Sequence, residues 1–346
     1  MSKVKEERIN RFDYMKAFLM FCVVLGHVTY WFPRNSYTLH CTQLWIYSFH
    51  MPAFIFLAGL FAKGIVNKRR WDRAFSYVVL YFFMKFLTFA VDTYRGSDTK
   101  IELLSADGFE WFALALFWWY AVTILIREIH PLYVMIVTVC LSMIFGYSEE
   151  IGSFLVLRRT LVFYPFFYLG YVMDANALIK RSLVHRKAKI AVSVFVLCSS
   201  YIFVWLNYSP DSFWLNLFRG RFSYSEIFGM ENYLCGGMYR ALSYMISFVM
   251  IFAVLTVLPD GRLKVFSYIG SRSLPVYVFH FSVMSLLFTL FKNFKAAMVE
   301  ANLFLSSIVL SALLIAVTTL PVFESFLKRV MTIPRKPNSK AKRELP

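Results

Sequence analysis

Apolar runs of about 17–22 residues, each long enough to cross roughly 30 Å of hydrocarbon as a helix, recur along this chain with short basic segments between them. No other feature constrains the fold as strongly. Backbone inside hydrocarbon must satisfy its own hydrogen bonds, and a helix does so within one segment. About ten spans are expected on this length criterion, near 14–33, 43–63, 74–92, 109–127, 131–147, 159–175, 188–207, 240–258, 270–291 and 302–325. The expected fold class is therefore all-α, a polytopic integral membrane protein. Residues 1–13 read as a cytoplasmic N-terminal segment, 14–325 as the transmembrane domain and 326–346 as a basic cytoplasmic tail.

Composition supports this reading: 59% of the 346 residues are apolar and 16% charged, where a soluble domain carries about 25% charged residues. The net charge of +17 does not imply nucleic acid, because the cations fall between the apolar runs and not on one face. With the N-terminus placed in the cytoplasm, inside segments hold Lys3, Lys5, Arg8, Arg11, Lys63, Lys68, Arg69, Arg70, Arg73, Arg127 and Lys180. Arg181, Arg186, Lys187, Lys189, Arg262, Lys264, Arg272 and the tail from Lys328 to Arg343 continue the series. That gives about 25 basic residues inside against about 10 outside, the bias that sets topology. An even number of spans then returns the C-terminus to the cytoplasm. The basic-then-apolar start resembles a signal peptide, but its apolar stretch is too long and ends in Trp31-Phe32-Pro33-Arg34 without a small-residue cleavage site. A retained first helix is expected.

The five cysteines show no C-x-x-C pair and no metal-ligand spacing. Cys41 and Cys235 fall in segments placed outside, which leaves a disulfide between them open. The largest outside connection, about 208–239, carries Trp214, Arg219, Arg221, Tyr224, Glu226, Glu231 and Tyr233. Its aromatics fit either an interfacial belt or a sugar-binding surface. No internal repeat is evident, which disfavours transporters built from inverted repeats.

Ionisable residues inside a span mark functional sites by default. On the first helix, Lys16 and His27 differ by only about 20° in direction and about 16 Å in rise. They share one stripe, and Asp13 is one turn from Lys16. His50 on the second span lies at nearly the depth of His27, and His280 falls near the middle of the ninth. An intramembrane histidine is often a satisfied helix–helix hydrogen bond, which is the plain reading of His280. His50 stands between the structural and functional readings, because Met51-Pro52 bends its helix. His27 shares its stripe with a cation and an acid, and an imidazole is a competent general base near neutral pH. Arg70 and Arg73 are explained as charge by topology, yet their one-turn spacing suits a phosphate-bearing ligand. Arg158 and Arg159 at an outside mouth oppose the topology bias, and either a ligand or a carboxylate partner fits them.

Here the residues resemble a family. Arg11-Phe12-Asp13-Tyr14-Met15-Lys16, leading through an apolar run to Val24-Leu25-Gly26-His27, is similar to the opening of the acyltransferase-3 family, whose signature is a basic residue, ten positions and a histidine. Ile46 to Gly59, with His50 and Pro52, resembles the branch described as fucose 4-O-acetylase-like. Glu110-Trp111 onward to Phe117, Arg159 to Gly170, and Gly270 to His280 with Tyr277 agree in order, over positions about 8 to 325. The resemblance implies about ten helices, acetyl-CoA as donor and sugar hydroxyls of surface polysaccharide, glycolipid or antibiotic precursors as acceptors. It implies His27 as catalytic histidine, Lys16 as its basic partner with Asp13 beside it, and Arg70 and Arg73, with Lys16, on the coenzyme's phosphates. His50, Arg158, Arg159, Glu110, Trp111, Tyr277 and His280 are then expected around the acceptor. Two positions depart from the pattern: Lys16 stands where arginine is common, giving up the planar fork, and Ala58 where serine is common.

The expected function is an O-acetyltransferase of the bacterial plasma membrane without a metal. Acetyl-CoA enters from the cytoplasm, and His27 either deprotonates the acceptor hydroxyl or carries the acetyl group itself. No soluble esterase-like C-terminal domain is expected, and transfer is then completed by the membrane part. The alternative is a transporter or flippase of a glycan-linked lipid.

Overall fold

The computed structural model describes residues 3–32, 36–98, 100–105, 108–152, 154–259, 261 and 263–332, with side chains described from Asn10 onward. These residues are helical nearly throughout and form no strand; a single bridge pairs Ser105 with Phe154. The helices are α1 (Lys3–Tyr30), α2 (Tyr37–Tyr47), α3 (His50–Leu60), α4 (Lys63–Val66), α5 (Trp71–Tyr94) and α6 (Trp111–Ile126). They continue as α7 (Pro131–Ile144), α8 (Leu157–Val172), α9 (Ala175–Leu183), α10 (Arg186–Asn207), α11 (Trp214–Arg219) and α12 (Tyr224–Phe228). The last are α13 (Gly236–Val257), α14 (Lys264–Ser271), α15 (Ser273–Leu290), α16 (Phe294–Thr318) and α17 (Pro321–Val330).

Helices stand at all ten expected positions, but 7 segments have the length and hydropathy of a full crossing. They are Asn10–Tyr30, Tyr37–Leu60, α5, α10, Tyr233–Val257, α15 and α16. The apolar helices α6 and α7 have 16 and 14 residues, and α8 has 16 with Pro165 inside it. The expected tenth span divides: α16 ends at Thr318 and α17 begins at Pro321 as a separate helix. The first helix begins at Lys3, inside the segment assigned to the cytoplasm, and Arg11 is buried on a 2.6 Å hydrogen bond to Ser182 Oγ. Arg262 and the tail beyond residue 332 lie outside the described residues. Cys41 and Cys235 are both free thiols. α10 buries only Ser193 and turns Val192, Phe195, Phe203 and Leu206 outward. An apolar face that large belongs against lipid.

Two local features set the geometry of the site. Tyr37–Leu60 is not one helix, because α2 stops and α3 restarts across Ser48 and Phe49, where Phe49 leaves helical geometry at φ −141°. Pro52 is the reason: it has no N–H for the Ser48 carbonyl one turn back. That carbonyl accepts instead from Ser247 Oγ of α13 at 2.6 Å. The break turns the His50 ring back onto the Ile46 carbonyl, 2.9 Å from its Nδ1. The second feature is close helix contact. A Cβ on Gly59 would strike the Phe167 carbonyl of α8, and one on Gly170 would strike the Phe56 carbonyl of α3. Small residues facing each other let two membrane helices touch at the backbone. α3 is thereby clamped to α8, and Gly270 seats α14 against the Asp13 carbonyl of α1 in the same way.

Candidate active site

One stripe of α1, spaced four, three and four residues apart, carries Lys16, Met20, Val23 and His27, as a helical face requires. Two cavities open along it. The inner one, about 270 Å³, is bounded by Lys16, Met20 and Val23 of α1, by Met51, Phe54 and Ala58 of α3, and by Leu274 and Tyr277. The outer one, about 430 Å³, is bounded by Val23 and His27, Tyr47 and His50, Glu110 and Trp111, Arg159, Arg219, Arg221 and Tyr277. Val23, Met51 and Tyr277 line both, so the cavities adjoin across these three side chains, the neck between them. A third cavity, about 800 Å³, lies at the Lys16 end between α5, α14, α15 and α17; it holds Arg73, Glu324 and Lys328 and shares Leu274 with the inner one. Three neighbouring cavities thus follow one another from a basin of mixed charge, where Asp72 and Glu324 stand beside Arg73 and Lys328, through an apolar conduit, to a polar cleft at the histidines.

Hydrogen bonding fixes the histidine tautomers. His280 Nδ1 is 2.8 Å from the Val276 carbonyl, which can only accept. Nδ1 therefore carries the proton, and in the neutral ring Nε2 is an acceptor. His27 Nδ1 lies 2.7 Å from that Nε2, with the two rings parallel at 5.0 Å between centroids. His27 must be the donor, which leaves its own Nε2 with a free lone pair. By the same reasoning His50 donates from Nδ1 to Ile46 and offers Nε2 as an acceptor. His280, expected near the acceptor, is instead fully buried behind His27 and sets its orientation.

The remaining expected residues divide. Glu110 lines the cleft, ion-paired to Lys85 at 2.7 Å, and its second carboxylate oxygen is buried without a partner. The Arg159 guanidinium lies 5.0 Å over the Trp111 ring, both at the cleft. Tyr277 stands at the neck, its hydroxyl on the Phe109 carbonyl. Lys16 lines the conduit, 3.0 Å from Asp13 and 5.1 Å from the centre of the Phe61 ring. Arg73 lines the basin, whereas Arg70 is turned to Asp72 at 2.8 Å and is absent from its wall. In the basin Lys328, hydrogen-bonded at 2.6 Å, and Arg272 beside it hold the Glu324 carboxyl below the usual carboxylate range.

Arg158 is the departure. It is 2% exposed and does not line the cleft. Its guanidinium bonds the Ser148 carbonyl at 2.6 Å, the Arg221 carbonyl at 3.0 Å and Glu226 at 3.1 Å. It ties the connection after α10 to α8, and so holds Arg219 and Arg221 over the cleft. Arg219 and Arg221 were named in the sequence within one of two readings of their connection, a sugar-binding surface, but where that connection lands was not written in it. Lys85 is a site residue that sequence reading passed over, although it carried a signal, a lysine inside an apolar span.

An imidazole with a free Nε2, in a polar cleft beside an apolar conduit, is suited to take a proton from a hydroxyl brought to it. Among the described residues no three His, Cys, Asp or Glu side chains converge to hold a metal. No curated protein and no solved structure matches the chain. The family model described as an acyltransferase domain matches residues 9–322, nearly the whole chain. This polytopic helical protein therefore belongs to the acyltransferase-3 family of membrane acyltransferases.

Proposed function

We propose that the protein is an O-acetyltransferase of the fucose 4-O-acetylase-like branch, seated in a bacterial plasma membrane with both termini cytoplasmic. It would pass acetyl from cytoplasmic acetyl-CoA to a sugar hydroxyl, lipid-linked or polymeric, at the opposite face. The observation that carries this reading is that the Lys16 conduit and the His27 cleft adjoin, with Val23, Met51 and Tyr277 lining both. The 11 residues from Lys16 to His27 rise about 16 Å, near the reach of an extended pantetheine arm. Arg73 and Lys328 suit the nucleotide phosphates in the basin, with Arg70 at its edge, and the apolar conduit suits the arm.

In the cleft, His27 Nε2 takes the proton from the acceptor hydroxyl as its oxygen bonds to the thioester carbonyl carbon. The Nδ1–H of the resulting imidazolium stays bonded to neutral His280, which spreads its charge. The tetrahedral intermediate then collapses: the C–S bond breaks, the sulfur takes the proton back from His27 Nε2, and the ester and free thiol leave. His50, with Nε2 as acceptor, orients a second hydroxyl of the sugar and cannot in this tautomer donate to the oxyanion. Arg159, Arg219 and Glu110 are the polar groups left to hold oxyanion and sugar. The test is thiol release from acetyl-CoA by purified protein in lipid, wild type beside His27→Ala, with and without candidate glycans. Release that requires glycan and falls by about 100-fold or more in the variant is expected. No turnover over a broad glycan panel, together with lipid-glycan movement in vesicles, would sink this reading in favour of a transporter.

A further inference from the structure

Beside the His27 cleft, two cations crowd one indole. Lys295 Nζ lies 4.2 Å and the Arg95 guanidinium carbon 4.8 Å from the centre of the Trp31 ring. Both charges are thus within about a Debye length of each other and repel. A single carboxylate, Asp92, reaches the pair, at 3.2 Å from Arg95. The two cations therefore share one acceptor, and an added anion beside them would pair with both.

The place is continuous with the cleft. Asp92 and Phe281 line the cleft, and Phe281 packs against both His27 and Trp31, at 6.0 and 6.3 Å between ring centres. Trp31 follows the end of α1, one turn beyond His27, a rise of about 6 Å. We propose that Arg95 and Lys295, seated on the Trp31 ring, form a binding site for a phosphate-class anion that places its bearer's neighbouring hydroxyl at His27. The phosphate has two sources, an acceptor sugar carried on a lipid phosphate or the headgroup of a bilayer phospholipid. This deepens the acyl-transfer reading and rests on it only for what the anion carries.

Full-length protein in dodecyl maltoside micelles, which carry no phosphate, is titrated with a fluorescent short-chain polyprenyl phosphate, with the matching polyprenol as the neutral control. The phosphate form is expected to bind at least about tenfold more tightly, and Arg95→Gln and Lys295→Gln each to weaken it about tenfold. Trp31→Phe keeps an aromatic ring to seat both cations, and a loss of less than about threefold is expected. Circular dichroism of each variant shows that the fold is retained. No acyl donor is present, so failure of acyl transfer leaves the readout intact and the two readings fail separately. Equal affinity for phosphate and alcohol, or unchanged phosphate affinity in both charge variants, overturns the site. Competition by phosphatidylglycerol at equal strength supports the anion site and assigns it to bilayer headgroups; weaker competition assigns it to the acceptor.

Discussion

At the scale of the residue, the tautomer of His27 is decided by a group that never meets substrate. The Val276 carbonyl sets the proton of His280, His280 sets the proton of His27, and Nε2 of His27 is left as the base. His280→Leu frees His27 to place its proton on Nε2 and removes the support of the imidazolium. We expect kcat to fall by about 100-fold with KM for acetyl-CoA little changed, the signature of an interaction made in the transition state. His280→Gln, whose amide oxygen can accept from Nδ1, should keep more activity than leucine; equal kcat in leucine variant and wild type would refute the relay. The three histidines at similar depth were legible from helical rise. Their pairing was not, because depth along a helix says nothing of the direction in which a neighbouring helix approaches. Lys85 was open to the same rule that singled out Lys16, and its role as partner to Glu110 emerges only when α5 and the start of α6 are seen side by side.

At the scale of the element, sequence patterns located helices well and joints poorly. The run from residue 43 to 63 reads as one span, and Pro52 announces a bend, but the transfer of the Ser48 carbonyl to Ser247 depends on a helix about 200 residues away. The connection after α10 was left between an interfacial belt and a ligand surface. It is a cover over the cleft, stapled by Arg158 and by the capping box of α12. Within that staple, burial pushes the Glu226 carboxyl up. The Ser223 backbone N–H and hydroxyl, at 2.6 and 2.7 Å, and then Arg158 outweigh it and hold the carboxyl below the usual carboxylate range. A carboxyl depressed in the folded state stabilises the fold fully above its unfolded value and loses that contribution as pH falls through the folded one. The Glu226 side chain is 52% exposed, so water screens the pair and the effect is small. Glu226→Gln should therefore lower the melting temperature by a few degrees at neutral pH, and the gap from wild type should close below about pH 4. A gap independent of pH would show that the charge of Glu226 plays no part in holding the cover.

At the scale of the whole molecule, the proposed transfer needs three neighbouring cavities drawn from helices far apart in sequence. Each wall is regular: α1 supplies Lys16, Met20, Val23 and His27, while α15 supplies Leu274, Tyr277 and Phe281. A stripe of this kind is visible in sequence as periodicity, but an apolar stripe reads equally as core. Only its polar ends, Lys16 and His27, distinguished it. The neck tests whether the line works as one device. Met51 is at the restart of α3, beside Pro52, and a larger side chain there projects into the passage that Val23 and Tyr277 complete. Met51→Trp should lower acetyl transfer by about 100-fold or more, since a blocked arm cannot bring the thioester within bonding distance of the hydroxyl. Binding of free coenzyme A at the basin should change by less than about threefold, because Arg73 and Lys328 lie beyond the conduit and their phosphate contacts are untouched. Titration calorimetry with coenzyme A beside a transfer assay separates the two effects. Parallel loss of binding and transfer would mean that the arm does not pass this neck, and normal transfer with tryptophan in place would mean that donor and acceptor meet by another route.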